Sequence, residues 1–336
     1  MHACFQRFAP LRLPVLAAPM FLVSGPDLVI ASARAGIIGT FPAPNCRTSE
    51  ELSTWLDAIE QALAVDQHER PICWGVNLVV HRSNTRMQDD LEVVIRHRVP
   101  LVLASVGSAA PIVAPVHAYG GLVFTDVATL RHARLAIAAG VDGLVLLTRG
   151  AGGHEGHANP FAFVREVRRE FAGPMLLAGC VSDGDSIVAA RALGADGVVI
   201  GTAFIATPES MASDDYRKMV VDSTMDDVVV SSAMTGMNAN LLRESFTRAG
   251  LDSLKYTRPA GDVDVGELYR DMQKKRWKDI WAAGQGVGGV RSVQSVAALV
   301  DRLEREMGHA RERLLATTKA GGGDLVQTNS EHRHDE

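Results

Sequence analysis

The chain has 336 residues, 47% of them apolar and 22% charged, with a formal net charge of −5. That describes a soluble protein able to bury a large core, and its size suits one large α/β barrel with an appendage. No lysine or arginine block marks a nucleic-acid groove, and no apolar run reaches membrane-spanning length, so neither nucleic acid nor membrane is expected as a partner.

The segment 1–13 has no apolar signal-peptide core. Cys4, Cys46, Cys73 and Cys180 lie far apart, without metal-ligand spacing. They read as reduced thiols, and a cytoplasmic protein is expected. From residue 15 short apolar runs alternate with amphipathic stretches. Strands are predicted at 15–20, 37–41, 72–79, 101–106, 122–127, 143–148, 174–179 and 197–204. Helical spacing of apolar residues occupies 27–35, 49–65, 88–98, 128–139, 160–171 and 185–193. Thr48 and Glu51 form a capping-box pattern at the start of the second helix. Gly36, Gly140, Gly173 and Gly194 stand where a left-handed residue should end a helix. Strands apolar on both faces, alternating with helices, predict a (β/α)₈ TIM barrel.

After residue 204 the alternation stops. Helix patterns at 209–222, 239–249 and 267–282, with a β-prone run at 228–232, predict a smaller, mainly helical lid inserted after the eighth strand. The barrel then comprises 1–209 and 285–319, the lid or substrate domain 210–284, and a disordered polar tail 320–336. A last helix is expected at 293–306.

In a parallel barrel the carboxyl ends of the strands open on one face, and the residues ending each run converge there. These are Ala18, Pro19 and Met20; Gly39 and Thr40; Asn77; Ser105; Thr125 and Asp126; the loop around His154; Gly179 and Cys180; Gly201 and Thr202. The set is poor in charge and holds no metal cluster, no serine triad and no Walker sequence. It suits a cofactor that brings its own reactivity. In the loop 150–156 four glycines surround His154; the loop is either a ligand cradle or a plain turn with an incidental histidine. Gly179 with Cys180 and Gly201 with Thr202 follow the last two strands, where barrels often cradle a phosphate, although tight turns also call for glycine. Asn77 is an amide in an apolar strand and requires a partner, a flavin edge being one candidate. Cys180 reads as packing rather than a nucleophile, Met20 as core, and Trp277 and Trp281, four apart, as packing.

Ala18-Pro19-Met20, Gly75-Val76-Asn77, Ala151-Gly152-Gly153-His154-Glu155-Gly156, Leu177-Ala178-Gly179 with Ser182-Asp183-Gly184, and Gly201-Thr202-Ala203-Phe204 together resemble the FMN-dependent nitronate monooxygenases. The resemblance runs from residue 15 to about 307 and includes the return at Ala283-Gly284-Gln285-Gly286. Flavin enoyl-acyl-carrier-protein reductases and some NADH:quinone reductases are similar too. The resemblance implies FMN as cofactor and His154 as catalytic base. It also implies cofactor contacts from Ala18, Met20, Asn77, Gly152, Gly153, Gly179, Cys180, Ile200, Gly201 and Thr202. Two features depart from the family pattern: Leu147-Thr148-Arg149-Gly150 stands where a Gln-Gly-x-Glu sequence is usual, and Cys180 where a second glycine is usual.

The expected activity is therefore oxidation of alkyl nitronates by O₂ to a carbonyl compound and nitrite, with a small-molecule substrate and no metal. A homo-oligomer is compatible with all of this. The alternatives are an NAD(P)H-dependent enoyl-thioester or quinone reductase on the same scaffold, and a catalytically silent flavin-binding protein.

Overall fold

The computed structural model describes residues 11–64, 74–232, 236–251 and 279–321, with side chains described as far as 316. Eight parallel strands close into a barrel: β1 (Val15–Ala17), β2 (Ile38–Pro42), β3 (Trp74–Val79), β4 (Leu101–Ser105), β5 (Leu122–Val127), β6 (Gly143–Leu147), β7 (Met175–Ala178) and β8 (Gly197–Ile200). Closure comes from β8 pairing back on β1, with Leu16 opposite Val199 and Ala17 opposite Ile200. The expected TIM barrel is the observed fold.

Period-2 alternation sorts each strand between two cores. Leu16, Ile38, Leu101, Leu103, Leu122, Phe124, Val145, Leu176, Ala178 and Val199 fill the barrel interior. Their neighbours, among them Val15, Val76, Val102, Val123, Leu144, Leu177 and Val198, pack outward under the helices. Burial on both faces is why the strands lack polar alternation.

Helices follow strands as Pro26–Arg34 (α1), Ser49–Ala64 (α2), Met87–Arg96 (α3), Ala110–Ala118 (α4), Leu130–Ala138 (α5), Pro160–Glu170 (α6) and Gly184–Leu193 (α7). Sequence spacing names no helix where α4 lies, because Pro111 and Pro115 fall within its nine residues. A proline in the first turn forfeits no hydrogen bond, and Pro115 forfeits only one. Gly36, Gly140 and Gly194 take positive φ, of 84°, 80° and 113°, as expected of helix ends; Gly173 is not among the positive-φ glycines. The Thr48 hydroxyl caps α2 by accepting from Glu51 N–H, while the Glu51 carboxylate accepts from Arg47 N–H, one residue earlier than a capping box requires.

Two strands are shorter than their apolar runs by three residues or more. The first ends at Ala17 and the eighth at Ile200, where Gly201 breaks the ladder. Its carbonyl accepts from Phe204 N–H and starts the single helical turn Thr202–Ile205. Apolar content carried the predicted strands into segments that are buried without being paired.

Beyond the barrel lie α8 (Asp214–Asp222) and an antiparallel pair, β9 (Val228–Ser231) with β10 (Ala239–Leu242), then α9 (Arg243–Arg248). The helix expected over 239–249 thus begins as a strand, drawn into extended form by its pairing with β9. Most of the amphipathic stretch 267–282, including Trp277, and the tail beyond 321 lie outside the described residues, as do Cys4 and Cys73. Cys46 and Cys180 are free thiols. The last helix, α10 (Val296–Gly321), runs well past the expected end and packs on α7. Arg12 ties the start of the barrel to it through Asp301 and Glu304. Among the described residues no helix is long and apolar enough to cross a membrane.

Candidate active site

A cavity of about 850 Å³ opens at the carboxyl ends of the strands. Ala18, Met20, Asn77, Gly152, Gly153, His154, Gly179, Cys180, Gly201 and Thr202 all line it, so the strand tips do converge. Ile200 does not. It is fully buried in the outer core, and only its carbonyl matters near the rim, accepting from Ala18 N–H at 2.9 Å.

His154 forms, with Gly153, a two-residue strand held from two sides. Asn240 on β10 bridges Gly152 and donates its Nδ2 to Ala151 O (2.7 Å) and to Glu155 Oε2 (2.6 Å). Glu155 accepts from Gly150 N–H at 2.8 Å, and its own N–H donates to Asn238 O. From the other side Gln285 N–H donates to Gly150 O, and Gly284 N–H to Thr202 Oγ1. The loop is therefore a plug between hairpin and return segment. That explains the glycine at 152: a Cβ there would lie 2.8 Å from Gly284 N, against the chain's own backbone. At this position close packing against the chain itself, and not only against a ligand, demands glycine. Gly152→Ala should cost about 1–3 kcal/mol, measured by thermal melting of the apoprotein, because backbone on both sides leaves little room to yield.

The histidine ring keeps some exposure to the cavity, but the protein around it disfavours the charged form and pushes its pKa down to about 4. The ordinary value near 6.5 assumed from sequence does not hold. His154 is neutral throughout the physiological range. Asp126, at the tip of β5, moves the other way: burial pushes its carboxyl up to about 7, with only Val106 N–H and its own N–H in opposition. It lines the same cavity; sequence reading placed it on the rim and gave it no role. The signal was available, for Asp126 stands two residues beyond Phe124 on the inward face of an apolar strand, as Asn77 does on β3.

Asn77 finds its partners within the protein. Its Nδ2 donates to Leu103 O at 3.0 Å and its Oδ1 accepts from Ser105 Oγ at 3.3 Å. One amide hydrogen remains for the cavity.

The opposite wall suits an anion. Among the described turns and loops, none of the amides of Gly179, Cys180, Gly201 and Thr202 donates to another protein group. The α7 N-terminus is not available, since Asp183 caps it and Glu306 accepts from Gly184 N–H. The amides free to face an anion are therefore those of the 179–180 loop and of the start of the turn Thr202–Ile205. Cys180 adopts φ 56°, a left-handed conformation that glycine takes freely. Burial and the charge of Glu155 raise its thiol pKa, which argues against a thiolate nucleophile. Cys180→Gly should raise stability by about 1 kcal/mol in denaturant titration by removing a side chain from an αL site.

Residues after 210 complete the roof. Tyr216 stacks on Trp281 at 5.0 Å and 14°, and its hydroxyl donates to Ala282 O. Both rings line the cavity, and Arg248 lies over the Trp281 ring at 5.9 Å. Trp281 therefore packs and lines at once.

A parallel (β/α)₈ barrel with a neutral imidazole, an apolar wall and unpaired loop amides around one cavity has the form of an enzyme that works through a bound cofactor. The chain matches the nitronate monooxygenase family over residues 60–306, and it belongs to that family. It is 30% identical over 270 residues to (3aS,4S,5R,7aS)-5-hydroxy-7a-methyl-1-oxo-octahydro-1H-indene-4-carboxyl-CoA dehydrogenase of Mycobacterium tuberculosis, covering 80% of this chain and 73% of that protein. It is 31% identical over 221 residues to a nitronate monooxygenase of Paraburkholderia phytofirmans, covering 61% of this chain and 60% of that protein. The solved structure of a FabK variant from Thermotoga maritima superposes with a TM-score of 0.77 at 25% identity, covering 94% of this chain and 99% of that chain.

Proposed function

We propose that this chain is an FMN-dependent oxidase of alkyl nitronates, forming a carbonyl compound and nitrite with O₂ as oxidant. The observation that carries the reading is a histidine held neutral at the wall of a large, mainly apolar cavity that has an anion cradle opposite. The cavity suits a flavin mononucleotide. A Cβ at Gly201 would stand 3.4 Å from Ala18 Cβ, filling room that glycine leaves open, and the unused amides of 179–180 and 201–202 suit its phosphate. Ala18 and Met20 would flank the ring, Asn77 would offer its remaining amide hydrogen, and Gly152 and Gly153 would face it with backbone. When bound, the flavin supplies the electron acceptor and the site of reoxidation by O₂.

The chain's own part is acid–base chemistry and exclusion of water. In its neutral form His154 takes the α-proton of a nitroalkane: the C–H bond breaks, its electron pair moves onto the nitro group, and the proton goes to a ring nitrogen. Tyr216 and Trp281 cover the site from the 210–284 segment, which we take to be a separate lid and substrate domain.

A second reading is a redox reaction on an acyl thioester. The carboxyl-CoA dehydrogenase relative favours it, because a proton α to a thioester makes the same demand on a neutral base. Purified holoprotein should consume O₂ and release nitrite from a panel of nitronates, and should keep its flavin colour on anaerobic mixing with NADH or NADPH. Absent nitrite together with rapid bleaching would transfer the assignment to a reductase.

A further inference from the structure

Asp126 is a half-buried titratable group of the cavity that the chemistry above leaves unused. Leu122, Phe124 and Asp126 form one inward face of β5, and the first two are packed in the barrel interior. The carboxyl therefore caps that interior and lines the cavity, with Asp126 opposite Val145 on β6 in the strand register and Ser105, at the end of β4, on the same cavity wall. Val106, next in the chain after β4, holds φ at 54°, which a β-branched residue rarely adopts, and its N–H reaches the Asp126 carboxyl. Strain of this kind persists where surrounding structure enforces it, and it concentrates at functional sites.

Among the described residues, no cation offsets the carboxyl. On the packed elements, β4 and β6 bring no charged side chain to the tip of β5. On α4, His117 is exposed and pairs with Asp142; on α5, Arg131, His132 and Arg134 are exposed. The other titratable groups on the cavity wall are Arg47, Glu51, His154, Cys180 and Tyr216. A carboxyl buried without a positive partner keeps its proton, and a protonated carboxyl is a hydrogen-bond donor.

We propose that Asp126 is a catalytic residue of this site, a neutral carboxylic acid that donates its O–H to the substrate oxygen on which charge builds when the α-proton leaves. The inference rests on the reading that His154 removes that proton. In the step, the α C–H bond breaks, the proton goes to a His154 ring nitrogen, and the electron pair spreads onto a nitro or thioester oxygen. Asp126 keeps its own proton and stabilises the oxyanion through the hydrogen bond.

Infrared difference spectroscopy on the holoenzyme tests this without turnover. At pH 6 a protonated carboxyl band should be present in wild type and missing in Asp126→Asn, and anaerobic addition of nitroethane or a butyryl thioester should shift it. A shift with the thioester alone would end the nitronate reading while sustaining the role of Asp126. In kinetics, Asp126→Leu should lose 10²- to 10³-fold in kcat/KM for the responsive substrate, and the Asn variant, still a donor, should recover most of that. The alkaline limb of the wild-type pH profile should vanish in Asp126→Asn. A carboxyl ionised at pH 6, a band that neither ligand moves, or a Leu variant of wild-type rate would each overturn the assignment.

Discussion

His154→Asn should lower kcat/KM for a neutral nitroalkane by 10²- to 10⁴-fold while leaving the preformed nitronate oxidised at near wild-type rate. The magnitude is that of a positioned general base, and the contrast isolates the proton step. A nitronate has already lost its α-proton, so an imidazole that serves only to remove it is idle with that substrate. Asn240 and Glu155 hold the loop through Ala151 and Gly150. The cradle amides should therefore stay in place, and the visible spectrum should show flavin retained in the variant. Equal losses with both substrates would instead give His154 a role in binding or in the redox step. No loss with either would leave the histidine as a packed side chain and support the silent flavin-binding alternative. With its pKa near 4, the wild-type base should also stay active down to about pH 5, lower than an ordinary histidine allows.

The second large effect concerns stability against pH, and it joins the two displaced groups of the cavity. The folded pKa of Asp126 lies above its unfolded value, so its carboxyl is best accommodated at low pH. Its contribution is lost as pH rises from about 4 through 7. The folded pKa of His154 lies below its unfolded value. Its contribution is intact above 6.5 and is lost as pH falls toward 4. The two slopes have opposite sign over the same window, and apoprotein of wild type should be nearly flat there. Each single variant should expose the other slope. Asp126→Asn should gain roughly 2–3 kcal/mol relative to wild type between pH 4 and pH 8, after allowance for screening by cavity water. His154→Asn should lose stability by a similar amount as pH rises across that range. Thermal melts of the apoproteins at several pH values would measure both, and parallel curves for all three proteins would show that neither group is displaced.

Evolutionary kinship narrows the chemistry without deciding it. Family members at similar distance carry out a nitronate oxidation and a carboxyl-CoA dehydrogenation. The roles proposed for His154 and Asp126 fit either substrate class, and we propose that the choice between them rests with Arg47, Glu51, Trp55, Tyr216 and Trp281, which line the cavity. None of these was singled out from the sequence as a specificity residue, because their convergence depends on α2, α8 and the segment before 283 meeting over the barrel.

The amino-acid order alone settled the barrel, the phase of nearly every strand and most of the strand-tip residues on the cavity wall, though not Gly39, Thr40, Thr125 or Ile200. Period-2 burial and strand-to-helix punctuation are local signals, and parallel topology then leaves the strand tips a single face on which to gather. It could not settle why Gly152 must be glycine, since the atom that forbids a side chain there belongs to Gly284, more than a hundred residues away. Nor could it set the protonation of the site. A pKa depends on the solvent that surrounding chain removes, and for both His154 and Asp126 that removal is a property of the folded chain and not of the local sequence. The result, a carboxyl that holds its proton more tightly than the neighbouring imidazole, inverts the order the same residues have in water.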